Sequence, residues 1–143
     1  MAGFASASQD IRTAFNAALA VSQPTVNIYW PNDPREAEAD QPSTTDEFIM
    51  VSILEAPRAY LPEIGSRMAE VSGLVHAMVF TPKGRGDLRN RQICDSVRDA
   101  LQGLRHGDVK LRGSRRNPRG IELRPTHYQA NVTTPFRFES TPV

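Results

Sequence analysis

The sequence predicts an α+β fold in which a mostly antiparallel β-sheet packs against two α-helices, with an extended loop and a basic β-hairpin attached. Two segments place apolar residues at helical spacing, and the other apolar segments are short and rich in β-branched and aromatic residues, as strands are. A chain of 143 residues has the length of one globular domain. We therefore expect residues 1–143 to form a single domain, in the order helix, strand, strand, strand, helix, strand, strand, strand.

The first helix is predicted from about Ser8 to Val21. Its apolar stripe recurs at helical spacing and comprises Ile11, Ala14, Phe15, Ala18 and Leu19. Ser6 or Ser8 is available as the N-cap, and Pro24 follows the predicted end.

Three strands are predicted before the second helix. Val26 to Trp30 is a short strand, and Phe48 to Leu54 is a near-continuous apolar strand, which indicates burial on both faces or against a neighbouring subunit. Arg67 to Phe80 is one long strand, or two strands joined by a bulge at Ser72–Gly73. The simplest pairing joins this long segment to Phe48–Leu54 in a hairpin.

The second helix is predicted to begin after Asp87, a suitable cap, and to end before Gly107. Its core-facing stripe at helical spacing comprises Ile93, Val97, Ala100, Leu101 and Leu104.

The C-terminal third is predicted to form three strands, from Val109 to Arg112, from Gly120 to Arg124 and from Tyr128 to Phe138. The segment Gly113 to Arg119 is predicted as the turn between the first two. In the last strand, alternation places one set on one face: Tyr128, Ala130, Val132, Thr134, Phe136 and Phe138. The intervening residues then face the other way: Gln129, Asn131, Thr133 and Arg137.

The residue types that carry catalysis or metal binding do not occur in a recognised pattern. His76, His106 and His127 lack metal-ligand spacing, and Cys94 is interpreted as a small buried residue. Gly84-Arg85-Gly86 lacks the rest of a phosphate-binding motif, so we interpret it as a connection between strand and helix. Asp95 and Asp99 share a helix face with Arg91 and Arg98, which favours solvated ion pairs. We expect no enzymatic activity and no cofactor.

Charge is segregated along a chain whose net charge is only +1. The stretch from Asp33 to Glu47 holds six acidic residues and one arginine, within a proline-rich loop or arm that we place at residues 31–47. The predicted hairpin, residues 105–124, holds seven basic and two acidic residues. Two solvated loops, a hairpin that contacts nucleic acid, and a head-to-tail assembly are all compatible with this pattern. The candidate assembly interface comprises Asp33, Glu36, Glu38, Asp40, Arg112, Arg115, Arg116 and Arg119.

The segment order resembles a known family. The run HAMVFTPKGRGDLRNRQICDSVRDALQGL, the opening helix with IRTAFNAAL and the terminal strand YQANVTTPFRFE are similar to the tail terminator (tail completion) proteins of long-tailed bacteriophages and related prophage elements. The resemblance covers about Asp10 to Glu139 and contains no catalytic signature. The acidic, proline-rich segment from Pro31 to Glu47 departs from the family pattern.

The resemblance implies a structural virion protein with an α/β sandwich fold and no cofactor. Such proteins form a ring, commonly a hexamer, that caps the completed tail tube and provides the surface that docks to the neck. The implied partners are further copies of this chain, the tail tube protein and a neck or head-completion protein. DNA would pass through the ring without specific binding, and no membrane is implied. The implied location is the tail-neck junction of the virion, and the host cytoplasm during assembly. Another head-tail joining or neck protein, or a nucleic-acid-binding module, stays an alternative.

Overall fold

A computed structural model describes residues 4–30, 46–55, 59–60, 69–84, 86–102, 105–106, 109–118 and 127–140. The helices of this part of the chain are α1 (Phe4–Ser22) and α2 (Leu88–Leu101). Its strands are β1 (Asn27–Tyr29), β2 (Phe48–Glu55), β3 (Ala59–Tyr60), β4 (Ala69–Pro82), β5 (Arg105–His106), β6 (Val109–Leu111), β7 (Arg115–Pro118) and β8 (His127–Ser140).

These strands form one mixed sheet in the order β1-β2-β4-β8-β6-β5, with β3 also pairing with β4 and β7 with β8. β1 and β2 are parallel, and every other pairing is antiparallel. The predicted hairpin pairing is confirmed, because β2 and β4 pair from Phe48 opposite Phe80 to Glu55 opposite Gly73. The predicted α+β class, with a mostly antiparallel sheet and two helices, is therefore confirmed.

Most residues of the two predicted helix stripes lie in the core, but Ala14 and Ala18 are only half-buried. Ile11, Phe15 and Leu19 of α1 are fully buried, and they belong to the same apolar cluster as the stripe of α2. The buried α2 residues are Asn90, Ile93, Cys94, Val97, Ala100 and Leu101. The face of the sheet that packs on these helices is the inner face. Leu104 and Gly107, which the sequence also placed at the end of this helix, lie outside the described residues.

The ends of the helices differ from the prediction. α1 begins at Phe4, so Ser6 and Ser8 lie inside the helix and do not cap it. Asp87 is the N-cap residue of α2, but its side chain makes no capping hydrogen bond. The Asp87 carboxylate instead accepts a hydrogen bond from Nε of Arg91 at 2.8 Å, and this arginine holds the pKa of Asp87 below its ordinary value.

The long strand β4 is continuous, so the alternative of two strands joined by a bulge is wrong. Gly73 is nevertheless required at its position. A Cβ atom there would lie 2.1 Å from the carbonyl oxygen of Leu54 and 2.8 Å from the ring of Phe136. Strands β2, β4 and β8 can therefore approach this closely only because Gly73 has no side chain.

The basic segment folds differently from the predicted hairpin. Arg115–Pro118, predicted as a turn, is a strand that pairs with β8. The predicted turn is wrong because β8 is long enough to pair with β6 near Phe136 and with β7 near Val132. The predicted strand from Gly120 to Arg124 lies outside the described residues.

The predicted alternation of β8 is confirmed over most of its length. Ala130, Val132, Thr134, Phe136 and Phe138 are buried on the inner face, whereas Asn131, Thr133 and Arg137 are half-buried. Gln129 departs from the pattern, because it faces away from the helices and is only 1% exposed.

Candidate assembly interface

The sheet face that points away from the helices, which we call the outer face, is built from rows of residues that lie opposite each other on neighbouring strands. Directly opposite residues of an antiparallel pair place their side chains on the same face. Across β2, β4 and β8, the rows are Phe48–Phe80–Gln129, Met50–Met78–Asn131, Ser52–His76–Thr133 and Leu54–Leu74–Pro135, followed by Ser72–Arg137 on β4 and β8 alone.

One end of the outer face is closed. Phe48 and Phe80 stack with ring centroids 4.6 Å apart, and both are at most 1% exposed. Tyr29 and His127 each form a T-shaped pair with the Phe48 ring. The backbone oxygen of Asp46 lies 2.9 Å from Nε2 of His127, so the chain is tied to this end of the sheet. This cluster is a second, small core.

The other end of the outer face is open. Leu54 is 55% exposed and its neighbour Leu74 is 38% exposed. Together with the half-buried Pro135 they form the open apolar row. A cavity of about 390 Å³ adjoins this row and is lined by Ser72, Gly73, Leu74, Arg112, Pro135, Phe136 and Arg137.

Four cations flank the open apolar row, and we call them the basic edge: Lys110, Arg112, Arg115 and Arg137. Register places Lys110 opposite Arg137 and Arg115 opposite Thr133, both on the outer face. The backbone N–H of Arg112 donates to the carbonyl oxygen of Pro135 at 2.8 Å, which fixes Arg112 beside the cavity. Among the described residues, no carboxylate forms an ion pair with any of the four.

The arginines that the sequence grouped together are separated by the fold. Arg112 and Arg115 belong to the basic edge and are exposed. Arg116 lies opposite Val132, on the inner face, and its Nη2 donates to Oδ1 of Asn90 at 3.2 Å. Arg116 thus ties β7 to α2. The other predicted interface residues, Arg119, Asp33, Glu36, Glu38 and Asp40, lie outside the described residues.

Asn90 accepts the hydrogen bond that connects β7 to α2, and the sequence analysis did not identify this residue. It is completely buried, and its Nδ2 donates to the carbonyl oxygen of Val79 at 3.1 Å. Its Oδ1 also accepts a hydrogen bond from Sγ of Cys94 at 3.3 Å. Burial raises the pKa of the Cys94 thiol, which favours the neutral form. The prediction that Cys94 is a small buried residue is confirmed.

Arg137 was not among the predicted interface residues, although its signal was present. The alternation of the last strand already placed it on the face opposite the core. Arg137 belongs to the basic edge because β8 pairs with β6, which places Lys110 directly opposite Arg137. Sequence reasoning counted Lys110 as basic but had no means to determine this register.

Several other titratable residues make structural contacts. Nδ1 of His76 lies 3.3 Å from Oγ1 of Thr133 on the outer face. Arg98 forms exposed ion pairs with Asp95 and Asp99, as predicted, whereas Arg91 pairs with Asp87.

No group of three or more metal-ligating side chains is found in the described part of the chain. Neither described helix is both long and apolar enough to cross a bilayer.

Comparison with known proteins establishes the fold and nothing finer. No protein-family model and no curated protein matches the sequence. Among the solved structures that match, one superposes with a TM-score of 0.64 at 14% identity, over 94% of this chain and 98% of that one. At that identity the likeness shows a shared fold.

Proposed function

We propose that this chain is a structural subunit of a phage-tail-like particle, which forms a ring on the completed tail tube, stops its polymerisation and provides the surface that docks to the neck. The observation that carries the proposal is the open end of the outer face. There, an exposed apolar row lies beside four cations with no ion-pair partner among the described residues.

That combination is typical of a protein-protein interface. Exposed leucines that adjoin each other, unlike scattered ones, mark sites that a partner covers. Leu54 and Leu74 are directly opposite each other, and Pro135 extends the row. Polar and charged groups at the border of an apolar patch give an interface its register and specificity. The basic edge lies along this border.

The resemblance to tail terminators supplies the kind of assembly. It rests in part on a strand that ends in VFTP, a glycine-containing turn and an amphipathic helix, and it implies an α/β sandwich. The corresponding observed elements are β4, which ends at Pro82, a turn at Lys83–Gly84 and the helix α2. The observed order of elements is therefore compatible with the family, which supports a ring as the form of assembly.

The proposal is tested by adding the purified chain to polymerising tail tube protein. We expect tubes that stop growing and carry a ring at one end, and a discrete closed oligomer by mass measurement in solution. The matched variants are Leu54→Asp with Leu74→Asp on the outer face, and Val21→Asp with Leu88→Asp on the helices, where Val21 is 85% and Leu88 68% exposed. The first pair should lose capping and the second should keep it. Tubes that grow unchanged with the natural protein would refute the function.

The basic edge also favours a second candidate, nucleic-acid binding, because cations aligned on one face attract phosphates. The apolar row beside it consists of leucine and proline, however, whereas single strands are held by aromatic stacking. A steep loss of DNA affinity with rising salt, together with a monomeric protein, would favour this candidate. A neck protein of another kind would bind the neck and leave tube growth unchanged.

A further inference from the structure

We propose that the basic edge and the adjoining cavity receive the acidic segment around Asp33, Glu36, Glu38 and Asp40 of a second copy of this chain. The inference rests on the proposed ring and identifies what holds neighbouring subunits together. It assigns the partner of the open end of the outer face, with Lys110 and Arg137 as additional contact residues.

The first argument is the electrostatic state of the isolated subunit. Lys110 and Arg137 are directly opposite each other, and like charges in that position are unfavourable. Arg112 and Arg115 add two further cations on the same edge, with no carboxylate paired to them among the described residues. An acidic partner relieves this repulsion, so the subunit has more to gain from such a partner than from a neutral one.

The second argument is that three other arginines of the described chain pair with carboxylates within the subunit. Nε and Nη2 of Arg89 donate to the Glu47 carboxylate at 2.7 and 3.2 Å, and Arg91 and Arg98 pair with aspartates of their own helix. Arg12 lies over the Trp30 ring and Arg116 donates to Asn90, whereas the basic edge places four cations together on one face with no carboxylate paired to them among the described residues. Glu47 also shows that the C-terminal end of the acidic stretch has a partner inside its own subunit.

The third argument concerns the number and spacing of charges. Arg115, Arg112 and Lys110 lie beside Thr133, Pro135 and Arg137 of β8, and alternate residues of a strand are about 7 Å apart. One carboxylate cannot contact all three cations. The sequence offers four carboxylates within eight residues, from Asp33 to Asp40, which is the complement that such an edge requires.

A charge exchange between two variants tests the pairing. The first variant carries Lys110→Glu, Arg112→Glu and Arg115→Glu, all at exposed positions. The second carries Glu36→Lys, Glu38→Lys and Asp40→Lys. Each variant alone places like charges at the contact, and we expect its self-association to weaken by at least about tenfold. An equimolar mixture restores opposite charges at every contact and should assemble as the natural protein does, with the two variants alternating.

The measurement is sedimentation of each variant and of the mixture at equal total concentration, with Arg98→Glu as the control for an exposed charge reversal outside the basic edge. Circular dichroism verifies that each variant is folded. Assembly of either variant alone at the natural affinity would overturn the pairing. A mixture that stays monomeric would also overturn it, since an acidic segment bound within its own subunit, or an edge that binds DNA, predicts no rescue by mixing.

The outcome is separable from that of the proposed function. If the variants lose self-association and the mixture regains it, but the natural protein does not stop tube growth, the pairing stands and the tail-capping function fails. If the first variant still forms rings and caps tubes, the pairing fails and the tail-capping function stands.

Discussion

The two faces of the sheet are made by alternate residues of the same strands, yet one is closed and the other is open at one end. The inner face is covered by α1 and α2, and its buried apolar residues form one continuous cluster. The outer face buries Phe48 and Phe80 at one end and exposes Leu54 and Leu74 at the other. One strand can therefore contribute to a covered face and to an open face, because a shift of one residue changes the face.

Truncating one leucine on each face should give the largest difference in stability between the inner and outer faces. Leu101 is fully buried in the inner core, so Leu101→Ala should lower the free energy of unfolding by about 2–5 kcal/mol. Leu54→Ala, at an exposed position of the outer face, should change it by less than about 0.5 kcal/mol. Chemical denaturation of both variants measures the two values. Equal losses would contradict the distinction between the faces.

The close contact at Gly73 gives the next largest effect. Gly73→Ala places a methyl group against the Leu54 carbonyl and the Phe136 ring, and overpacking of this kind costs about 1–3 kcal/mol. Gly113→Ala is the matched control, because nothing lies within 4 Å of its added methyl group. Thermal unfolding should show a lower midpoint for the first variant and an unchanged one for the second. An unchanged unfolding midpoint for Gly73→Ala would mean that β2, β4 and β8 can move apart enough to accommodate the methyl group.

The adjacent residues Arg115 and Arg116 occupy opposite faces of the sheet, so their substitutions should have different effects. Arg116→Ala removes a hydrogen bond to the buried Asn90 and should lower the free energy of unfolding by about 1 kcal/mol. Arg115→Ala should leave unfolding unchanged and weaken self-association. Denaturation and sedimentation of both variants check the contrast. The reverse assignment of the two effects would show that β7 is paired in a different register.

The smallest effect is expected for Cys94→Ser. A serine hydroxyl can keep the hydrogen bond to Asn90, so the loss of stability should stay below about 1 kcal/mol and assembly should be unchanged. Ring formation and tube capping by the folded variant are the measurements. Loss of assembly by a folded Cys94→Ser protein would give the thiol a role that its burial on the inner face does not explain.

Much of the fold could be predicted from local patterns. The stripes of α1 and α2, the strand β2 and the alternation of β8 are visible in the sequence because burial on one face imposes a period of 3.6 or 2 residues. The first turns of α1 and the strand β7 were missed. The segment Arg115–Pro118 is short and polar and carries no such period, so its structure depends on what it contacts. Ala7, in contrast, lies four residues before Ile11 and is buried, so it continues the apolar stripe of α1.

The candidate interface was predicted only in part. The sequence identified a basic segment, and Arg112 and Arg115 do lie on the outer face. It could not separate Arg115 from Arg116, nor join Lys110 to Arg137, because both facts depend on how β6 and β7 pair with β8. Register is set by contacts between residues far apart in the chain, and a single sequence does not record them.

Local sequence patterns are therefore sufficient to identify the helices and the long strands, and the apolar side chains that form their core. The tertiary structure alone decided that β1 runs parallel to β2, that β7 pairs with β8, and that four cations line one edge of an open sheet face. The physical reason is that periodicity reports burial within one element. The face and the neighbours of a side chain are fixed only when the strands come together.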